Sequence, residues 1–437
     1  MDRVLIVFLG VLCFCVGVLF VPEGITAICV AVIFGGLTLW ILNRDKDSYA
    51  FLFSVFLLAL LLRMSVASLI YGFDLQIFFG PDSGSYDLFG YSLRQQWLGE
   101  QVTMDAGRRY SMTEGVGWGM SRLVAAIYLV VGRNQLAAQF LSCVAGAATV
   151  PAIYHCAFRI YGNLKVARIT AVIVAVCPSL IIWSSQLLKD GFIIFLLVMA
   201  TLATLELHRR ISVLHLSTLL SSLFGILSLR FYVFYVVATA VIGSIFVTAK
   251  RSPKIIIAQF SILLVLAIGF SFLGLWQKAQ LDLTNFANLD RIQVSRTGLA
   301  QTAESGFGKD IDVSTTGGAL TAMPTGFLYL LLAPFPWQIT NLRQAITLPE
   351  MILWWGSLPL MLIGLWYTIR YRLTAAVVVL SFTLMLAVAY SIYLSNVGVA
   401  YRQRAQIQVF LFIFVSVGWT VLEERRNDKK QIARIRK

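Results

Sequence analysis

The sequence predicts an all-α integral membrane protein, a bundle of about twelve transmembrane helices. Apolar residues make up 59% of the 437, and charged residues only 13%, a balance far outside the soluble globular range. Apolar runs of about 17 to 23 residues recur along the chain, each long enough at 1.5 Å per residue to cross a ~30 Å hydrocarbon core. Basic residues gather in alternate loops, as a topology signal requires.

Taken in order, the spans fall near 4–21, 25–42, 49–71, 136–157, 168–186, 190–207, 212–229, 231–249, 255–275, 350–369, 373–394 and 405–422. Residues 22–25 offer no small-residue cleavage site and a second span follows at once, so the first is a membrane helix rather than a signal peptide. Segment 324–337 is apolar but short and carries Pro324, Pro334 and Pro336, which predicts a re-entrant or interfacial piece. Two loops on one side are long, roughly 72–135 and 276–349. In the first, Ser83 or Ser85 caps a predicted helix running to about Leu98, with Tyr86, Phe89, Leu93 and Trp97 on one face. That helix lies along the outer interface. The apolar stretch from Gly115 to Val131 predicts a second surface segment, and Ala300 to Gly318 reads as a mobile loop over a site.

The domain plan is two N-terminal helices over 1–48, a transmembrane core over 49–275, an outer loop with the re-entrant segment over 276–349, C-terminal spans over 350–422 and a basic tail over 423–437. Counting termini and short loops on one side gives 20 basic and 7 acidic residues, so that side holds +13 of the net +14. The bias predicts both termini in the cytoplasm of an inner or plasma membrane. It accounts for the basic charge by contact with anionic lipid, and no nucleic-acid partner is expected. A phosphate-binding glycine loop is absent, which argues against direct use of a cytosolic nucleotide. All six cysteines lie within predicted spans, so neither a disulfide framework nor a zinc spacing is expected.

Four polar clusters reach the outer face in this topology. They are Asp82 with Asp87 in Gly80-Pro81-Asp82-Ser83-Gly84-Ser85-Tyr86-Asp87; Lys189-Asp190 between two spans; Arg230; and Arg402 with Arg404 before the last span. Arg63 lies deeper, and Arg343 and Glu350 flank the proline-rich segment. Arginines hold a phosphate bidentately and stabilise it as a leaving group. A carboxylate can take the proton of an incoming hydroxyl. Each group also has a structural role open to it: a helix-capping turn for Asp82, solvation of a helix face for Asp87, an ion pair and cap for Lys189-Asp190, a helix terminus for Arg230, snorkelling for Arg402 and Arg404, and an internal ion pair for Arg63. His155, His208 and His215 lie near the cytoplasmic side and are not expected to be ligands. Trp337, Trp354 and Trp355 fit an outer aromatic belt.

The order and sidedness of these clusters resemble the GT-C superfamily of polytopic glycosyltransferases, in particular the lipid-phosphate-sugar-dependent group of protein mannosyltransferases and aminoarabinose transferases. That group carries Asp-Glu-x-x-Tyr at the start of its first outer loop, and Asp82-Ser83-Gly84-Ser85-Tyr86 supplies the Asp and Tyr at the same offset. The likeness extends over about residues 49–270, and the Tyr401-Arg402-Gln403-Arg404 loop is similar to the family's late arginine-bearing loop. It implies Asp82 as general base; with the residue reading above, Asp87 and Asp190 are taken as further catalytic carboxylates, and Tyr86, Lys189, Arg230, Tyr401, Arg402 and Arg404 as substrate-binding residues. The implied activity is inverting transfer of a sugar from a polyprenyl-phosphate donor to a lipid- or protein-linked acceptor in cell-envelope glycan synthesis. Ser83 stands where the family has Glu, so any role of that Glu, metal binding included, does not carry over, and no cofactor is indicated. Two readings compete: a surface-polysaccharide polymerase or ligase, which would lean on the arginines, and a transporter or flippase of a lipid-linked saccharide, which would need charges near the bilayer middle.

Overall fold

The computed structural model describes residues 2–102, 105–113, 117–210, 212–248, 288–301, 305–308 and 311–435, and every regular element among them is a helix. The predicted span at 255–275 lies outside the described residues. In the first half the helices are α1 (Asp2–Leu19), α2 (Glu23–Leu42), α3 (Tyr49–Gly72), α4 (Gln76–Phe79), α5 (Asp82–Trp97), α6 (Ala106–Thr113), α7 (Trp118–Val131), α8 (Gln135–Tyr161), α9 (Leu164–Val176) and α10 (Pro178–Ser184). Then come α11 (Lys189–Leu207), α12 (Val213–Leu229), α13 (Phe231–Thr248), α14 (Leu289–Gln301), α15 (Thr316–Leu332), α16 (Leu342–Ala345), α17 (Leu348–Tyr371), α18 (Leu373–Tyr393) and α19 (Val397–Ile435).

Seven of these, α2, α3, α8, α11, α17, α18 and α19, are long and apolar enough to cross a membrane. The pair α9 and α10 makes an eighth if taken as one span, bent by 57° at Cys177–Pro178. This is the composition and helix length of a membrane protein. Helices α1, α12 and α13 match the predicted spans in place, and at 18, 17 and 18 residues they lie at the short end of the roughly 17–25 that a crossing takes. The segment expected over 324–337 is built otherwise. Helix α15 starts at Thr316, runs through Pro324 and ends at Leu332. Its 17 residues cover about 25 Å, and residues 333–347 after it hold only a 3-10 turn at Pro336–Gln338 and the four-residue α16.

The described chain forms two compact units, Met1–Leu202 with Ser221–Tyr235, and Ala203–Leu220 with Val236–Lys437. In the first, α8 is the central helix: α2, α3 and α9 pack against it, α1 packs on α3, and α5 packs on α7. The two N-terminal helices therefore share a unit with α3 and α8, while residues 203–220 and 236–248 of the predicted core fall in the other unit. In the second unit α17 lies along α19, and α15 packs on α18 and α19.

Pro178 shapes the first unit. A residue without an N–H leaves the Val174 carbonyl unclaimed, and the helix end frees the Ala175 carbonyl. Arg63, 1% exposed on α3, supplies the missing donors. Its Nη1 donates to Ala175 O at 3.2 Å and Ala59 O at 3.1 Å, Nη2 to Val174 O at 3.4 Å, and Nε to Ser184 Oγ at 3.0 Å. Ser185 Oγ donates back to Arg63 O at 2.9 Å. A cation at the C-terminal end of α9 also complements the helix dipole. The deep arginine is thus the bracket of a broken helix, in place of the internal ion pair open to it from sequence.

Candidate active site

Helix α5 opens at Asp82 with Pro81 as N-cap, so the expected serine caps do not form; Ser83 N instead donates to Gly80 O at 3.0 Å. Asp82 is exposed in the first turn, where the helix dipole favours a carboxylate. Tyr86 is half-buried one turn on. Asp87 is held: it accepts from Tyr128 Oη at 2.6 Å and from Arg133 Nη2 at 2.5 Å and Nε at 3.4 Å. Arg133 also covers the Tyr91 ring at 4.8 Å, and Arg94 Nε donates to Tyr128 O at 3.0 Å. Burial, reinforced by the Asp87 charge, pushes the Tyr128 phenol far above its ordinary range, and the hydrogen bond to Asp87 raises Arg133. Asp87 is therefore the clamp between α5 and the α7–α8 corner, and α5 presents Asp82 from a fixed base.

The turn between α10 and α11, residues 185–188, faces this opening. A Cβ on Gly80 would lie 2.6 Å from Gln186 Oε1 and 2.8 Å from Leu188 Cδ1, so the Asp82 turn touches the turn that leads to Lys189 and Asp190. Asp190 is fully buried and pairs with Arg230, whose Nη2 donates to Oδ1 at 3.1 Å. Lys189 lies over Gly117, whose φ of +87° requires a glycine and whose Cβ would come 3.2 Å from Nζ and 3.3 Å from Leu229 O. Three predicted clusters, the Asp82 turn, Lys189-Asp190 and Arg230, are thus brought together in the first unit.

Tyr401, Arg402 and Arg404 belong to the second unit. Arg404 is fully buried; its Nη1 donates to Ala333 O at 2.7 Å and Leu331 O at 3.2 Å, and Nη2 meets Met351 Sδ at 2.9 Å. Trp354 and Trp355 donate to Leu331 O and Leu332 O at 2.7 and 3.0 Å. These groups satisfy the carbonyls left where Pro334 ends α15, the same device as Arg63 on α9. Tyr401 Oη donates to Glu350 Oε2 at 2.6 Å. Arg402 is half-buried and Arg343 exposed.

Sequence reasoning missed a set of uncharged polar side chains. Gln406 and Gln408 on α19 are fully buried, and Gln406 Oε1 accepts from Tyr390 Oη at 2.9 Å. In the first unit Ser83, Gln139, Ser142 and Gln186 are each 0% exposed. An amide inside an apolar run was the available signal, weaker than a charge because its cost of burial is smaller. Among the described residues no group of three or more His, Cys, Asp or Glu side chains could hold a metal ion. Compared with known protein families and with curated proteins, the sequence matches none.

Proposed function

We propose that this chain is a membrane glycosyltransferase that moves a sugar from a polyprenyl-phosphate donor to an acceptor hydroxyl at the extracytoplasmic face. The observation that carries the reading is the contact of the exposed Asp82 turn with the turn bearing Lys189, beside the Asp190–Arg230 pair. Asp82 takes the proton of the acceptor hydroxyl, whose oxygen attacks the anomeric carbon. The bond from that carbon to the phosphate oxygen breaks, and the polyprenyl phosphate leaves with the electron pair. A single displacement inverts the anomeric centre. Lys189 steadies the phosphate charge, while Asp190 offsets and orients Arg230. The likeness to GT-C enzymes at Asp82 and Tyr86 supports the same roles, and the charge bias supports cytoplasmic termini.

Arg404 is left out of the chemistry because its donors serve carbonyls 331 and 333, which weakens a polymerase built on that residue. Arg63 closes a broken helix instead of lining a path, which weakens a flippase. The test is purified wild type against Asp82→Asn in lipid vesicles, with a polyprenyl-phosphate-sugar pool and an acceptor-containing lipid extract, read by lipid mass spectrometry. Donor consumption is expected from wild type and at least 100-fold less from the variant. A fully active variant removes Asp82 from the role.

A further inference from the structure

Five buried polar atoms without a partner belong to side chains on the elements that build the candidate site. Ser83 Oγ, both side-chain polar atoms of Gln139, Ser142 Oγ and Gln186 Oε1 have none, although all four residues are completely enclosed. Such groups are rare in native structures, and each costs about 1–3 kcal/mol. They lie along two contacts of the first unit, the Asp82 turn with the 185–188 turn and α8 with the start of α11. Gly80, three residues before Ser83, abuts Gln186 Oε1; a Cβ on Gly191, next to Asp190, would lie 2.9 Å from Ser142 Oγ. Gln139 is one turn before Ser142 on α8, on the same face. An adjoining cavity, lined in part by Arg63, Thr149, Ser184 and Gly191, has room for about one water.

The chemistry of this set is specific. It offers amide and hydroxyl groups and no net charge, since the neighbouring carboxylate Asp190 pairs with Arg230 and Arg63 is spent on Ser184 and backbone carbonyls. Neutral donors and acceptors that find no protein partner match hydroxyl groups, which both donate and accept. A carboxylate or an ammonium on the ligand would instead require an opposite charge in so enclosed a place.

We propose that Ser83, Gln139, Ser142 and Gln186 form a subsite for the hydroxyls of an uncharged sugar, and that this chain transfers a neutral glycosyl group in preference to an amino sugar or a uronic acid. This rests on the glycosyltransferase reading. Entry of the sugar requires the Asp82 turn to part from the 185–188 turn.

The test uses full-length protein in lipid vesicles with four kinds of polyprenyl-phosphate donor: a neutral hexose, its monodeoxy analogues, an amino sugar and a uronic acid. Wild type is expected to use the neutral hexose at least tenfold better than either charged sugar, and to lose about tenfold on one deoxy analogue. Ser142→Ala and Gln139→Leu should each lose about tenfold on the hexose and show no further loss on the matching deoxy donor. Ser142→Ala removes an unpartnered hydroxyl, so its thermal midpoint should not fall, which keeps the test valid if a glutamine variant misfolds. Equal losses on every donor, or no loss on any, would assign these groups to packing or resident water and overturn the proposal. Asp82-dependent transfer from a charged sugar alone overturns the subsite but not the transferase. No consumption of any donor by wild type or Asp82→Asn overturns both.

Discussion

Removing one member of the Asp190–Arg230 pair should be far more costly than removing the second after the first. The charges are 3.1 Å apart with side chains 0% and 6% exposed. At an effective dielectric of about 20 their attraction is ~5 kcal/mol, and a lone survivor in so enclosed a place costs about 3–5 kcal/mol. Asp190→Ala and Arg230→Ala should therefore each destabilise the protein by about 3–5 kcal/mol, and the double variant by little more than either, a coupling of about 3 kcal/mol. The assay is reversible denaturation of the four proteins in mixed detergent micelles, followed by tryptophan fluorescence. Costs that simply add in the double variant would refute the pairing and return Asp190 and Arg230 to independent roles as an auxiliary carboxylate and a phosphate ligand.

The clamp on α5 should be unequal in its parts. Tyr128→Phe removes a buried hydrogen bond to a charged partner and should cost about 1.5–3 kcal/mol, whereas Arg133→Ala, with its side chain half exposed, should cost at most about 1 kcal/mol in the same denaturation assay. Because burial and Asp87 raise the Tyr128 phenol, its contribution is complete below the ordinary tyrosine value near 10 and is lost as pH rises through the folded-state value; wild type should lose stability above about pH 10 more steeply than Tyr128→Phe. Arg63→Lys keeps the charge but cannot reach Ser184, Val174 and Ala175 together, and should lower stability by about 3 kcal/mol; a melting temperature equal to wild type would show that the α9–α10 break needs no bracket.

Hydropathy and charge alone determined that this is a helical membrane protein, because a bilayer imposes helix length and backbone satisfaction on any sequence that crosses it. The helix from Asp82 to Trp97 was legible from its aromatic spacing, within a residue at its end but two to four residues late at its start, and the start of α11 at Lys189 was legible within a residue. Residue type and depth could not distinguish a charge that binds substrate from one that mends a helix. Asp87, Arg63 and Arg404 looked like candidates for chemistry or anchoring on local grounds. Only the tertiary structure showed that Asp87 ties α5 to Tyr128 and Arg133, and that the two arginines answer carbonyls left free at the C-terminal ends of α9 and α15, elements far from them in sequence. The same limit hid Ser83, Gln139, Ser142 and Gln186. Burial of a neutral group leaves almost no trace in a hydropathy pattern, and its partners, or the lack of them, are set by which helices pack together.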